Sequence, residues 1–271
     1  MRKIFVALIA AAGMTAAGAQ YAGAADLALP YKAPPPPPPP PSWTGFYIGV
    51  NGGAGWGTTT SNLNVGQTLA LNGIPGITLV VPLAQTSLNG WLAGGQIGYN
   101  YQMGNFVFGI EGDGDWDNIS GTSPCVLIFN CSSKVQWTAD ITGRIGVLPV
   151  QNLLVYLKGG GAWAGVHDNF GNSIGGTIGP ITFTGTITSS FNQTQFGGLL
   201  GIGAEYLFAP RWTAKVEYTY ADYGKQNETP MLTASGGITG IGAGAITIPV
   251  ATQTELQVHT VKAGVNYIFS F

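Results

Sequence analysis

The residues best suited to chemistry stand close together. In Glu111-Gly112-Asp113-Gly114-Asp115-Trp116-Asp117, carboxylates occupy every second position. Acids spaced in this way can ligate calcium from a twelve-residue loop. Such a loop turns on a glycine at position six and closes with a bidentate glutamate at position twelve. Counted from Asp113, those positions hold Asn118 and Pro124, so the pattern fails at both. At period two the acids share one side of a strand, and they read as a structural lining without metal or cofactor.

Other candidates are thinner. His167 and His259 could act as general bases, but no serine can be tied to either to form a nucleophile-base pair. They read as a polar loop residue beside Asp168 and a strand-rim residue. Gly159-Gly160-Gly161-Ala162-Trp163-Ala164 matches a loosened dinucleotide fingerprint, but that motif needs a strand-to-helix turn and this one lies inside a strand. Cys125 and Cys131 are the only cysteines. Two thiols are too few for a zinc site, and in an exported chain they read as a local disulfide. No enzyme is expected.

The elements that must position these residues are strands. Large aromatics recur ten residues apart, from Phe46 to Trp56, Trp91 to Tyr101 and Phe106 to Trp116, and less completely from Leu153 to Trp163. Ten is even, so both ends of each stretch share a face, and the rise covers roughly 33 Å. Tilted about 40°, this projects to roughly 25 Å, the height of the apolar band that aromatic girdles flank on a membrane barrel. Trp137, Trp212 and Tyr220 extend the girdle. The chain has 271 residues, 43 of them glycine; 45% are hydrophobic and 8% charged. Its longest apolar run falls short of the roughly 20 residues of a membrane helix, which leaves a closed barrel as the way to cross lipid. A net charge of −2 without a basic face excludes nucleic acid as the expected partner.

Alternation can be followed through eight segments, about 44–56, 88–102, 105–117, 134–147, 153–165, 194–208, 211–224 and 255–271. Short connections alternate with long ones, 57–87, 118–133, 166–193 and 225–254. The fold class is therefore all-β: an eight-stranded antiparallel up-and-down transmembrane β-barrel with long external loops. One face of every strand is free of charge and is assigned to lipid, including Val135, Trp137, Ala139 and Ile141 in the fourth. The opposite faces hold Glu111, Asp113, Asp115, Asp140, Arg144, Lys158, Glu205, Lys215, Glu217 and Lys262. A soluble barrel would reverse this polarity. Side chains just fill an eight-stranded lumen. The expectation is a network with Arg144, Lys158, Lys215 and Lys262 facing Glu111, Glu205 and Glu217, and glycines making room. The long connections carry apolar β-branched runs, which are expected to continue as hairpins above the membrane.

The ends agree with export. Residues 1–24 have a charged start, an apolar stretch and a small-residue site at Ala22-Gly23-Ala24, which read as a signal peptide cleaved after Ala24, with Ala19 as the second choice. Residues 25–43 form a periplasmic segment containing prolines 34–41, an extended spacer. Residues 44–271 are the barrel. Tyr267, Phe269 and Phe271 alternate at the C-terminus, like the signal that such barrels present to their assembly machinery.

Four segments then carry a resemblance: Trp43-Thr44-Gly45-Phe46-Tyr47-Ile48-Gly49, Gly94-Gly95-Gln96-Ile97-Gly98-Tyr99-Asn100-Tyr101-Gln102, Gly109-Ile110-Glu111-Gly112-Asp113 and Lys215-Val216-Glu217-Tyr218. They resemble the small alphaproteobacterial outer-membrane immunogenic or porin-family proteins, which share the eight-stranded barrel of the OmpA and OmpX type. Unlike OmpA, the chain is read as having no C-terminal periplasmic domain. The resemblance implies a Gram-negative outer membrane and leaves activity open. The first reading is a non-enzymatic surface barrel for envelope integrity and external recognition. The alternative is a narrow porin-like channel. A barrel enzyme acting on lipid would need His259 and the inward acids. Expected partners are outer-membrane lipid and lipopolysaccharide, the assembly machinery, peptidoglycan through the proline segment, and host surfaces through the loops.

Overall fold

The computed structural model describes residues 42–64, 80–125, 130–239 and 242–269. The signal segment, the proline run and Phe271 lie outside the described residues.

All regular structure among the described residues is strand: β1 Gly45–Asn64, β2 Val80–Met103, β3 Phe106–Pro124, β4 Asn130–Val150, β5 Leu153–Ile178, β6 Ile181–Ala209, β7 Trp212–Glu228, β8 Met231–Ile238, β9 Gly242–Pro249 and β10 Thr252–Phe269. Each strand from β1 to β6 pairs antiparallel with the next, β7 pairs with β10, and β10 closes on β1. Eight strands thus form the ring. Closure satisfies the backbone donors and acceptors that lipid cannot.

The ring's strands outrun the sequence boundaries at one end only. The turns at 104–105, 151–152 and 210–211 are two residues long. Gly104 and Arg211 adopt the positive φ that such tight turns require. At the other end β5 and β6 pair without a break out to Ile178 and Ile181. The connection from β7 to β10 contains the hairpin β8–β9, laddered onto β6 between residues 183 and 188. Most of the long connections expected as loops are therefore hairpin, as the apolar β-branched runs foreshadowed.

Large outward side chains belt the wall. Trp116 stands opposite Trp137, and the rings of Trp163 and Phe196 lie 5.2 Å apart. Near the short turns, Trp212 packs edge-on against Tyr267, and Phe46 against Tyr99. One face assignment fails. Val135 is fully buried, because the pairing register shifts between Val135 and Trp137 in β4. A bulge adds a residue and reverses the faces beyond it, so Val135 points inward while Trp137 points out.

Candidate functional site

The inside of the ring is built in layers. Its middle is ionic. Arg144 lies 3.4 Å from Glu111 and 3.3 Å from Glu205. Lys158 reaches Glu217 at 2.9 Å, Glu111 at 3.2 Å and Asp140 at 3.6 Å. Lys215 lies 3.4 Å from Glu111. All these cationic side chains are essentially free of solvent. Charges removed from water are tolerated only where geometry and extra hydrogen bonds compensate. Here Arg144 donates through Nε to Asn100 Oδ1 at 2.9 Å, and its guanidinium sits over the rings of Tyr47 and Tyr156, 4.5 and 5.2 Å from their centroids. Tyr47 donates to Glu111 and Tyr156 to Glu217, each at 2.8 Å. Asn266 and Thr213 donate to Glu205.

Glycines supply the room. A Cβ on Gly203 would lie 2.5 Å from the Tyr156 ring, and one on Gly98 would collide with Tyr47. One on Gly201 would press on Lys158, and one on Gly109 on Arg144.

Lys262 departs from expectation. It pairs with Asp113 at 2.7 Å and Asp115 at 3.1 Å instead of with the glutamates. Its partners sit higher in the lumen, where the strand stagger places β10 opposite the upper part of β3. Asn51 donates to Asp113 and Gln96, and Gln96 to Asn266, so this upper pair is bonded to the lower cluster.

Apolar layers flank the ionic one, and sequence reasoning missed both. Toward the short turns, Trp43, Tyr47, Val107, Leu148, Leu154, Tyr156 and Ile268 form one cluster. Trp43, assigned from sequence to the segment before the barrel, closes this mouth. It is fully buried and donates through its indole to the Gln151 carbonyl at 3.0 Å. Toward the hairpins, a second cluster joins Leu88, Leu92, Ile119, Val135, Val166, Leu199, Leu256 and Val258. The available signal was parity: apart from Val135, which the bulge in β4 turns inward, these residues alternate with the girdle aromatics, and the inward charges drew attention away from them.

The remaining candidates separate. Glu111, Asp113, Asp140, Arg144, Lys158, Glu205, Lys215, Glu217 and Lys262 all line the lumen. His259 points the other way. It stacks on Trp56 and meets the Tyr218 hydroxyl through Nδ1 at 2.8 Å, within the outer girdle. A histidine outside the wall and acids inside it cannot share a substrate, so the lipid-enzyme reading loses its constellation. His167 meets Asn192, while its neighbour Asp168 points inward and accepts from Gln193 at 2.8 Å. Asp168 lies beyond the girdle, and burial pushes its carboxyl above the usual range. Cys125 and Cys131 are joined in a disulfide, their Cα atoms 5.7 Å apart. Tyr267 and Phe269 both face outward.

A closed antiparallel ring with a charge-free, aromatic-belted outside and an ionic inside is an integral outer-membrane β-barrel of a Gram-negative bacterium. The family model described as the outer membrane protein β-barrel domain matches residues 4–269, and the chain belongs to that family. It is 28% identical to the 31 kDa outer-membrane immunogenic protein of Brucella melitensis, over 99% of this chain and 100% of that one. It is 29% identical to the 22 kDa outer membrane protein of Rhizobium leguminosarum, over 48% of this chain and 52% of that one. Among solved structures it matches Neisserial surface protein A with a TM-score of 0.36 and 13% identity, over 83% of this chain and 98% of the other.

Proposed function

We propose that this protein is a non-enzymatic barrel with a closed lumen. It stiffens the outer membrane and presents its long hairpins as an antigenic, recognising surface. The observation that carries this reading is the layered interior. A solute crossing the lumen would have to part the Trp43 cluster, separate ion pairs whose side chains are buried from solvent, and then part the Leu88–Leu256 cluster. Eight strands leave no spare width for a detour. The name of the Brucella relative supports surface exposure, since it is called an outer-membrane immunogenic protein. The outward aromatics fit contact with outer-membrane lipid.

A narrow channel is the second reading, favoured by polar groups within and just beyond the upper apolar layer, where Gln195 stands opposite Ala164 and Thr59 opposite Leu256. Gln195, Thr59 and Thr254 are buried there with side-chain atoms that have no protein partner, which suits water.

Single-channel recording on the refolded chain in a planar bilayer separates the two. A folded, heat-modifiable barrel without conductance steps is expected. Stable, resolvable steps that change with Lys158→Gln would overturn the closed-lumen reading.

A further inference from the structure

The wall of the barrel has no edge, but the sheet outside the membrane does. Strand β9 pairs with β8 on one side and, among the described residues, with no strand on the other. The Val250 amide donates to the Pro230 carbonyl, which sets the ladder's phase. Counting in twos, Leu232–Ile248 and Ala234–Ile246 are bonded pairs. The backbone groups of Ala243, Ala245 and Thr247 therefore point away from β8, toward the open side. Natural sheets blunt such edges with charge, proline or a bulge. This one carries proline only at its end, Pro249. Residues 172–191 and 230–254, which supply β8, β9 and the outermost parts of β5 and β6, contain no Asp, Glu, Lys, Arg or His. Its surface is also apolar in places, with Ile246 63% and Met231 56% exposed.

We propose that the β9 edge is a homophilic contact that joins copies of this chain on two facing outer membranes. Charge argues for a second copy. A charged partner finds nothing to steer it here, whereas two identical neutral edges meet without repulsion. Geometry argues for facing membranes. Two identical strands pairing antiparallel are related by a dyad normal to the sheet. β8 and β9 are laddered onto β6, which continues the barrel wall, so that dyad lies near the membrane plane and turns the second copy over. Copies in one membrane share an orientation and cannot pair this way. A single eight-residue edge is a weak contact, but many copies per surface multiply it. The inference rests on the outward orientation of the hairpins and not on the closed lumen, so a conducting barrel could still make the contact.

The test uses the full chain refolded into phosphatidylcholine–phosphatidylglycerol vesicles of two colours. Turbidity and two-colour co-clustering should rise well above protein-free vesicles. Ala245→Lys and Ala245→Glu should each return clustering to the protein-free level while heat-modifiable migration shows an intact barrel. Mixing Lys-bearing with Glu-bearing vesicles should restore it. Absence of clustering by the unaltered chain, or equal clustering by both charged variants alone, overturns the proposal.

Discussion

Strand β6 runs through two regions that share a backbone and little else. Between Phe196 and Ala209 it is barrel wall, and its inward Glu205 is held by Arg144, Asn266 and Thr213. Between Ile181 and Ser189 it is hairpin outside the ring, paired with β5 and β8 and with no charged residue. The wall region tolerates buried charge because ring closure brings partners to it from several strands. The hairpin has no enclosed interior of that kind, so its cohesion rests on the backbone ladder and short side chains. Stability should accordingly be graded along one strand, high in the ring and lower at the tip.

Four perturbations test that gradient. The largest effect should follow Glu111→Leu, which strips a shared partner from Arg144, Lys158 and Lys215. A loss of about 3–5 kcal/mol is expected in urea unfolding from lipid vesicles. A loss under about 1 kcal/mol would mean that the network is incidental. Trp43→Ala should cost about 3 kcal/mol in the same assay. It should leave the bilayer silent, because the second apolar layer remains. Conductance from this single change would place the whole seal at Trp43.

Reduction of the Cys125–Cys131 bridge should speed proteolysis between residues 118 and 133 and leave barrel unfolding unchanged. The bridge closes a small loop and contributes about 2 kcal/mol locally. A lowered barrel transition would show that the loop supports the ring. The smallest effect should come from Asp168, whose carboxyl is raised by burial, with Glu228 adding to it and Ser133, Gln193 and His167 opposing. A raised acid favours the folded state in full below its unfolded value of about 3.9, and that contribution is lost as pH rises through the folded value. Amide exchange in the β5–β6 hairpin should thus be relatively better protected in acid, after correction for intrinsic rates. Asp168→Asn should flatten that dependence.

The parts legible in the sequence were those that depend on parity. Lys158 and Trp163 are five residues apart, an odd number, so one must face in when the other faces out. The same argument placed every lumen charge and every girdle aromatic. Local counting fails where the chain adds a residue, as at the bulge that turns Val135 inward. It also carries no register across the lumen. Lys262 could not be matched to Asp113, 149 positions away, without knowing how far β10 is staggered against β3. Trp43 was assigned to the preceding segment because nothing in a tryptophan beside a proline run says that it turns back into the mouth.

The sequence by itself determined that this is a membrane barrel of eight strands, which face of each strand meets lipid except beyond the bulge in β4, and that the inside is ionic. Those properties follow from period two and from the exclusion of unpaired backbone from hydrocarbon, and both act within a strand. Tertiary structure alone decided that the ionic layer lies between two apolar ones, that Arg144 is clasped by Tyr47 and Tyr156, and that β8–β9 joins β6 and leaves an open edge. Each of these depends on the stagger between strands distant in the chain, which ring closure sets and no local pattern encodes.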